Sequence, residues 1–410
     1  MSDAERTLNQ IGRMDRRRFV GTAAGIAGFA IVGPAAVRGY AANGRIEAGI
    51  VGLGGRGSLI AGMMAKHPAY RITAVADYFN GVVQGAGEQL GVAEVRRFSG
   101  LSGYKKVLAA GVDAMILETP PCFFPEHVAA SVDAGCHVYF AKPVACDVPG
   151  CLSILESGRQ ATKRGRVFLI DFQVPTDEFN METVKRCREG LIGEIGMLSS
   201  IYCDEAFGDP PKTATIESRL QHLIWVNDIE LGGGMLVNAG IHAVDAALWL
   251  AGARPVSAMG SSRVVNAGHH GNTRDVYSIT YQYESGLIQN HRGEHLRNTH
   301  EFLCRCAAWG DAGFAEIGYM GKAWARGNKG GYAGGEVENL YVAGIARNLD
   351  KFARCVSDGN TENDTLQRSV DSTLAVILGR EAGMRNGLLT WDEMIRENKK
   401  LEFDTAGLQA

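Results

Sequence analysis

The stretch Ile50-Val51-Gly52-Leu53-Gly54-Gly55-Arg56-Gly57 constrains this chain more than any other, because an apolar, strand-like run over residues 46–51 breaks there into Gly-x-Gly-x-x-Gly and then into a helix-like segment. Gly52 permits a tight turn, Gly54 lets the backbone approach a phosphate, and Gly57 lets the following helix pack closely on the strand. The helix N-terminus adds free N–H groups and the positive end of its dipole. The pattern predicts a site for a dinucleotide pyrophosphate formed by Gly52, Gly54, Gly55, Arg56 and Gly57. A second strand-like run, residues 71–76, ends at Asp77, about the 20-residue distance at which an acid meets the ribose hydroxyls. A carboxylate there disfavours a 2′-phosphate, so NAD is expected rather than NADP.

With 410 residues the chain is long enough for two or three domains and a sizeable core. Its 46% hydrophobic and 21% charged residues are those of a globular protein and exclude gross disorder. The net charge is −3 and no long tract carries one sign, which argues against a nucleic acid or an anionic membrane as partner. Nine cysteines lie scattered without Cys-x-x-Cys spacing. Neither a metal site nor a disulfide framework is expected, and Cys122, Cys136 and Cys187 read as small buried hydrophobes.

Residues 1–42 read as a separate segment. Asp15-Arg16-Arg17-Arg18-Phe19-Val20 precedes an uncharged stretch rich in Gly and Ala, with small residues over 36–42. This resembles a twin-arginine export signal, which would make the export machinery a partner and the periplasm or the exterior the destination. An uncleaved membrane anchor and an arm retained on the mature protein are the alternatives. The apolar run is long enough to span a bilayer, but its Gly and Ala content leaves it only weakly apolar.

From residue 45 to 172, short apolar strands at 46–51, 72–76, 114–117, 138–140 and 167–170 alternate with helical stretches, which predicts a parallel sheet wrapped by helices. Ligands of such sheets lie beyond the carboxyl ends of the strands. Those ends carry Gly52, Asp77, Glu118-Thr119-Pro120-Pro121 and Ala141-Lys142-Pro143. Beyond 173 the texture changes to longer strands at 197–204, 256–264, 275–283 and 287–291. The last two are joined by the hairpin signal Glu284-Ser285-Gly286, so antiparallel pairing is expected. Helices are expected near 238–251, 340–358 and 364–386, the last of them closing the chain, and the Gly-rich residues 327–335 read as a surface loop.

Three motifs carry chemistry: the Gly-rich turn, Lys142-Pro143 at a strand end, and Gly232-Gly233-Gly234 followed by Asn238 and His242 at the opening of a helix. Together with Thr119-Pro120-Pro121, His127, the run Asp133–Val138 and the closing Thr390-Trp391-Asp392, they resemble the glucose-fructose oxidoreductase, inositol dehydrogenase and rhizopine-catabolism (Gfo/Idh/MocA) family from about residue 45 to 396. The resemblance implies an α/β fold, with an N-terminal Rossmann domain over 45–172 and a substrate-binding and oligomerisation domain with a mostly antiparallel sheet over 173–410. It further implies hydride transfer between a sugar or polyol carbon and NAD or NADP without a metal, in a homo-oligomer. Thr119, Pro120, His127 and Lys142 join the Gly-rich turn and Asp77 as expected cofactor contacts.

By the same resemblance Lys142 is the lysine that hydrogen-bonds the reacting hydroxyl, in a Lys-Pro bond that family members often hold cis. His242 is the expected general base, its ordinary pKa of about 6.5 suiting it to the task. Two positions depart from the family pattern: Ala141 stands where Glu is usual, and Asn238 where Asp is common. Asn238 and His242, four residues apart on a helix, face one cleft, but an amide cannot take a proton. Asp245 either orients the His242 ring or is a solvated helix residue. Tyr104, Gln173, Arg219, His222, Trp225, His291 and Arg347 are lesser candidates for substrate contact.

Three functions are compatible with these residues. The first is an exported sugar oxidoreductase that retains its nicotinamide nucleotide through turnover, regenerating it on a second sugar. The second is a glycosidase acting by transient oxidation and elimination. The third is a non-catalytic sugar-binding protein, against which Lys142 and His242 argue.

Overall fold

The computed structural model describes residues 44–208, 213–221, 224–266, 271–298 and 301–410. The segment expected to be an export signal, with Arg16 and Arg17, lies outside the described residues, as does His222. From Arg45 to Ala410 the chain is one compact unit.

Its first half alternates β1 (Ile46–Val51), α1 (Gly55–Lys66), β2 (Tyr70–Asp77), α2 (Asn80–Gln89), β3 (Arg97–Ser99), α3 (Gly103–Ala109), β4 (Ala114–Leu117), α4 (Phe124–Asp133), β5 (His137–Ala141), α5 (Val148–Lys163) and β6 (Phe168–Asp171). The strands pair in parallel in the order β3-β2-β1-β4-β5-β6, the Rossmann order. The run β4 is buried at every position, as expected for a strand covered by helices on both faces. Order reverses between β1 and β4, so the crevice for a ligand opens at their carboxyl ends.

The second half contains α6 (Glu178–Arg188), β7 (Ile195–Asp204), α7 (Ile241–Ala251), β8 (Ser257–Arg263), β9 (Val276–Gln282), β10 (Ile288–His295), β11 (Leu303–Gly310), β12 (Gly313–Gly318), β13 (Gly321–Gly327), β14 (Gly330–Val337), α8 (Leu340–Asp358), α9 (Leu366–Arg385), β15 (Leu388–Thr390) and α10 (Trp391–Glu397). Nine strands form one sheet in the order β14-β13-β12-β11-β7-β10-β9-β8-β15. β7 and β10 run parallel, and the other neighbouring pairs are antiparallel. Helices α6, α7 and α9 pack on one face. Burial along β10 alternates accordingly, and Met197, Ile288 and Trp309 stand exposed on the other face. The segment Ile229–Ala251, long and apolar enough to cross a membrane, is packed inside the molecule.

The structure corrects two expectations. Residues 327–335 are a hairpin, the end of β13 and most of β14, and not a surface loop. The glycines there permit close packing: a Cβ on Gly335 would lie 2.5 Å from the Phe179 ring, and one on Gly327 2.0 Å from the Leu191 carbonyl oxygen. Helix α9 does not close the chain, because β15, α10 and an extended tail follow it.

Candidate active site

The glycine-rich turn adopts the geometry its sequence demands. Gly52 has φ +91°, and a Cβ there would sit 2.6 Å from the Glu118 carbonyl carbon. A Cβ on Gly57 would meet the Gly52 carbonyl oxygen at 1.9 Å, so α1 approaches β1 at backbone contact. At Gly54, the residue capping α1, a Cβ would meet nothing within 4 Å. The open side of Gly54 and the unpaired N–H groups of the twelve-residue α1 form a cradle fitted to a pyrophosphate. Asp77, at the end of β2, accepts hydrogen bonds from the amides of Leu53 (2.7 Å) and Phe79 (3.0 Å). It fastens the turn from below, and burial raises its pKa against those bonds.

A cleft of about 470 Å³ opens between the two sheets, a size suited to a small ligand. Gly54, Gly55, Arg56, Gly57 and Thr119 line it on one side, Lys142, Asn238 and His242 on another, and the aromatic rings of Tyr202, Phe207, Trp225, Phe302 and Tyr319 complete the wall. Pro120 and His127 lie outside the lining. His127 is buried with its ring 4.2 Å from Tyr104 and its Nδ1 3.4 Å from the Thr119 hydroxyl, so it braces Thr119 from behind.

Lys142 follows β5, its bond to Pro143 is cis, and its Nζ donates to the Asn238 carbonyl at 2.7 Å. That carbonyl belongs to a π-helical turn, Leu236–Gly240, that leads into α7. Such wide turns displace backbone hydrogen bonds and recur at functional sites. Burial, with Arg56 nearby, pushes the Lys142 ammonium down to about 7 against the pull of Asp171, Cys304 and Glu118. The sequence expectation left this lysine without a carboxylate at position 141. Asp171, at the end of β6, supplies the counter-charge instead, with the Glu118 carboxyl just beyond β4 beside it.

Both acids also hold Arg56. Its guanidinium pairs with Asp171, its Nε lies 3.3 Å from Glu118, and it stacks 5.4 Å beneath the Tyr341 ring. Asn348 on α8 donates to Asp171 at 2.6 Å. Arg56 therefore ties the turn to β4 and β6 while lining the cleft. Burial pushes Glu118 up to about 8 despite Arg56, so it holds a proton at neutral pH.

His242 is 7% exposed, its ring 4.7 Å from Tyr319. Burial, then the Lys142 and Arg56 cations, holds its pKa well below the ordinary 6.5. The imidazole is neutral across the physiological range. Asp245 neither orients it nor faces solvent: it is buried, accepting from Ser372 (2.7 Å) and pairing with Arg368 (3.3 Å) on α9. Four buried polar atoms of cleft residues, on Arg56 (Nε), Glu118 (Oε1), Asn238 (Nδ2) and His242 (Nδ1), have no hydrogen-bond partner among the described residues. Groups left so cost free energy unless a ligand or water satisfies them.

Of the lesser candidates among the described residues, only Trp225 reaches the cleft. Tyr104 donates to Glu126, Gln173 to the Asp171 carbonyl, Arg219 pairs with Asp228, His291 meets Ser200, and Arg347 bridges Asp177 and Glu338. Tyr319, Phe302 and Tyr202 escaped sequence reasoning because strand periodicity marks them only as core.

Comparison with known proteins agrees with this geometry. The family model for the oxidoreductase family, NAD-binding Rossmann fold, matches residues 46–170, and that for the GFO/IDH/MocA C-terminal domain matches residues 182–316. The 2,7-anhydro-N-acetylneuraminate hydratase of Escherichia coli (strain K12) is 26% identical over 245 residues, 59% of this chain and 60% of the hydratase. The chain thus spans about three fifths of that relative. Inositol 2-dehydrogenase of Rhizobium meliloti (strain 1021) is 26% identical over 259 residues, covering 60% of this chain and 69% of the dehydrogenase. The crystal structure of aldose-aldose oxidoreductase from Caulobacter crescentus, complexed with glycerol, shares the fold with TM-score 0.68 and 21% identity over 84% of this chain and 99% of that one. With a dinucleotide cradle at β1, a lysine at the end of β5 and a histidine on α7 converging on one cleft, and with family models matched in both halves, the chain belongs to the Gfo/Idh/MocA family of NAD-binding Rossmann-fold oxidoreductases.

Proposed function

We propose that this protein oxidises a hydroxyl carbon of a sugar or polyol, using a nicotinamide nucleotide that it retains through turnover. The observation that carries the reading is the convergence of Lys142, Asn238 and His242 with the glycine-rich turn on one cleft. Gly54, Gly55 and the α1 N-terminus would hold the pyrophosphate, and Asp77 at the end of β2 favours NAD over NADP. A nicotinamide nucleotide bound there would supply the acceptor for the hydride of the substrate carbon, to be passed on to a second sugar.

The proton falls to the chain's own residues. His242 is held neutral by burial and then by the Lys142 and Arg56 cations, and resists becoming imidazolium. Asn238 cannot take a proton. Lys142, poised near 7 and fixed by the Asn238 carbonyl, is the group that exchanges one at working pH. In oxidation its neutral amine accepts the hydroxyl proton at Nζ. His242 orients that hydroxyl by a hydrogen bond, and the aromatic wall packs on the sugar's C–H faces.

Export and oligomerisation belong to the same proposal. Arg16-Arg17 and the uncharged segment after them support twin-arginine export, which carries a folded protein with its nucleotide. The cross-strand row Trp309, Met197 and Ile288, exposed on the open face of the second sheet, supports a homo-oligomer formed through that face.

A second reading, elimination of a sugar substituent through transient oxidation, is favoured by the relative named as a hydratase. Aryl glycosides separate the two, because elimination releases the aglycone without a second sugar as acceptor. Mass spectrometry of the denatured protein tests the main reading. One dinucleotide per chain supports it, and its absence after purification removes retention from the account.

A further inference from the structure

The last ten residues lie across the carboxyl edge of the first sheet. The Leu401 amide donates to Asp147, in the segment after β5, at 2.8 Å. Phe403 packs edge-on against Phe123, just beyond β4, at 5.4 Å. The Gln409 amide donates to the hydroxyl of Tyr78, which follows β2, at 3.2 Å, and the Gln409 carbonyl accepts from Leu101, beyond β3, at 3.0 Å. Ala410 closes on Gly100, where a Cβ would meet its oxygen at 2.3 Å. The tail touches the segments that follow β5, β4, β2 and β3, the strands on both sides of β1 and its glycine-rich turn.

The spacing is feasible. Phe403 and Gln409 are six residues apart and reach up to about 20 Å when extended, while β4 and β2 are separated by two strand spacings of about 4.8 Å each. Between these anchors, a Cβ on Gly407 would lie 3.0 Å from the Thr215 methyl, and Glu217 adjoins the Tyr78 hydroxyl, so a second segment closes on the same edge. Leu401, Phe403 and Leu408 are half-buried inward, while Glu402, Asp404 and Thr405 face solvent. This is a thin cover, held by a few apolar contacts and backbone hydrogen bonds.

We propose that residues 401–410 form the outer wall of the nucleotide site, a strap over its adenosine end that must lift before the nucleotide can exchange. The inference rests on the dinucleotide reading above and adds an element of this chain that holds the nucleotide in place. Asp77, expected at the ribose, immediately precedes Tyr78, where the tail is anchored. Retention then follows from the chain's own closure, independently of tight phosphate contacts.

The test compares the full chain, a version ending at Lys400, and Phe403→Ala, which loosens the strap without shortening it. Each is loaded with NADH, and release is followed by nucleotide fluorescence after addition of excess NAD, with circular dichroism confirming the fold. Release should be about ten-fold faster in Phe403→Ala, the effect of losing a half-buried aromatic contact, and faster still in the truncated chain. Equal release rates in folded full-length and altered proteins would overturn the strap while leaving the dinucleotide reading intact. Slower release or tighter binding after truncation would also overturn it, making the tail an obstruction. A full-length chain that binds no dinucleotide would overturn the reading beneath it as well.

Discussion

Replacing Lys142 by methionine separates the cost of the buried cation from its use. The Lys142 ammonium falls from its ordinary 10.5 to about 7, which corresponds to about 5 kcal/mol by which the folded chain disfavours the charged form. Solvent at the cleft mouth reduces this to about 2–3 kcal/mol. The hydrogen bond to the Asn238 carbonyl, lost in the variant, is worth about 1 kcal/mol. Removal of the charge therefore wins, and Lys142→Met should be more stable than the parent by about 1–2 kcal/mol at acid pH. The sign follows from the depressed pKa. Below about 7 both folded and unfolded chains carry the charge, and the folded state bears its full cost. Between about 7 and 10.5 only the unfolded chain is charged, and the advantage of the variant shrinks toward zero. Urea unfolding of both proteins at roughly pH 6, 8 and 10 measures this, while steady-state kinetics should show turnover lowered by about 10²–10⁴. A variant less stable at every pH, with the same difference throughout, would refute the buried-cation argument. Retained turnover would remove Lys142 from the chemistry.

Other predictions concern the proton and the turn. In the oxidation direction kcat/KM should rise with pH through about 7, following loss of the Lys142 proton, and in reduction it should fall through the same value; a flat profile contradicts the assignment. Asn238→Asp places a carboxylate beside Lys142, favours the ammonium, and should move that rise upward by about one pH unit, read from the same profiles. Gly57→Ala drives a methyl against the Gly52 carbonyl and should lower the melting temperature sharply. Gly54→Ala meets no protein atom, so it should fold normally and weaken dinucleotide binding, as titration calorimetry would show.

Local patterns made much of this molecule legible. The strand-turn-helix at Gly52–Gly57, the lysine after β5 and the asparagine-histidine pair before and within α7 each rest on neighbours in sequence, and they meet in the cleft. Glu118 and Asp171 are the counter-example. They come together with Arg56 only because β1, β4, β5 and β6 lie side by side in the sheet, a pairing no periodicity reveals. The misread glycines of β13 and β14 show the same limit. Glycine in sequence suggests a turn, yet Gly327 and Gly335 are there because Leu191 and Phe179 press on them from elsewhere in the chain. His242 was legible as a residue and not as an acid-base group, since its protonation is governed by burial and two distant cations.

The central claim, that a nucleotide seated on the Gly52–Gly57 turn takes a hydride from a sugar beside Lys142 and His242, is tested most directly by a single turnover. The purified, NAD-loaded protein is mixed with sugars and polyols deuterated at their hydroxyl carbons, without free nucleotide, and its near-ultraviolet absorbance is followed. Reduced nicotinamide carrying deuterium should appear on the protein with at least one of them, with no such signal from Lys142→Met. Reduction that proceeds unchanged in Lys142→Met, or NAD-loaded protein inert toward every polyhydroxylated substrate offered, would contradict it.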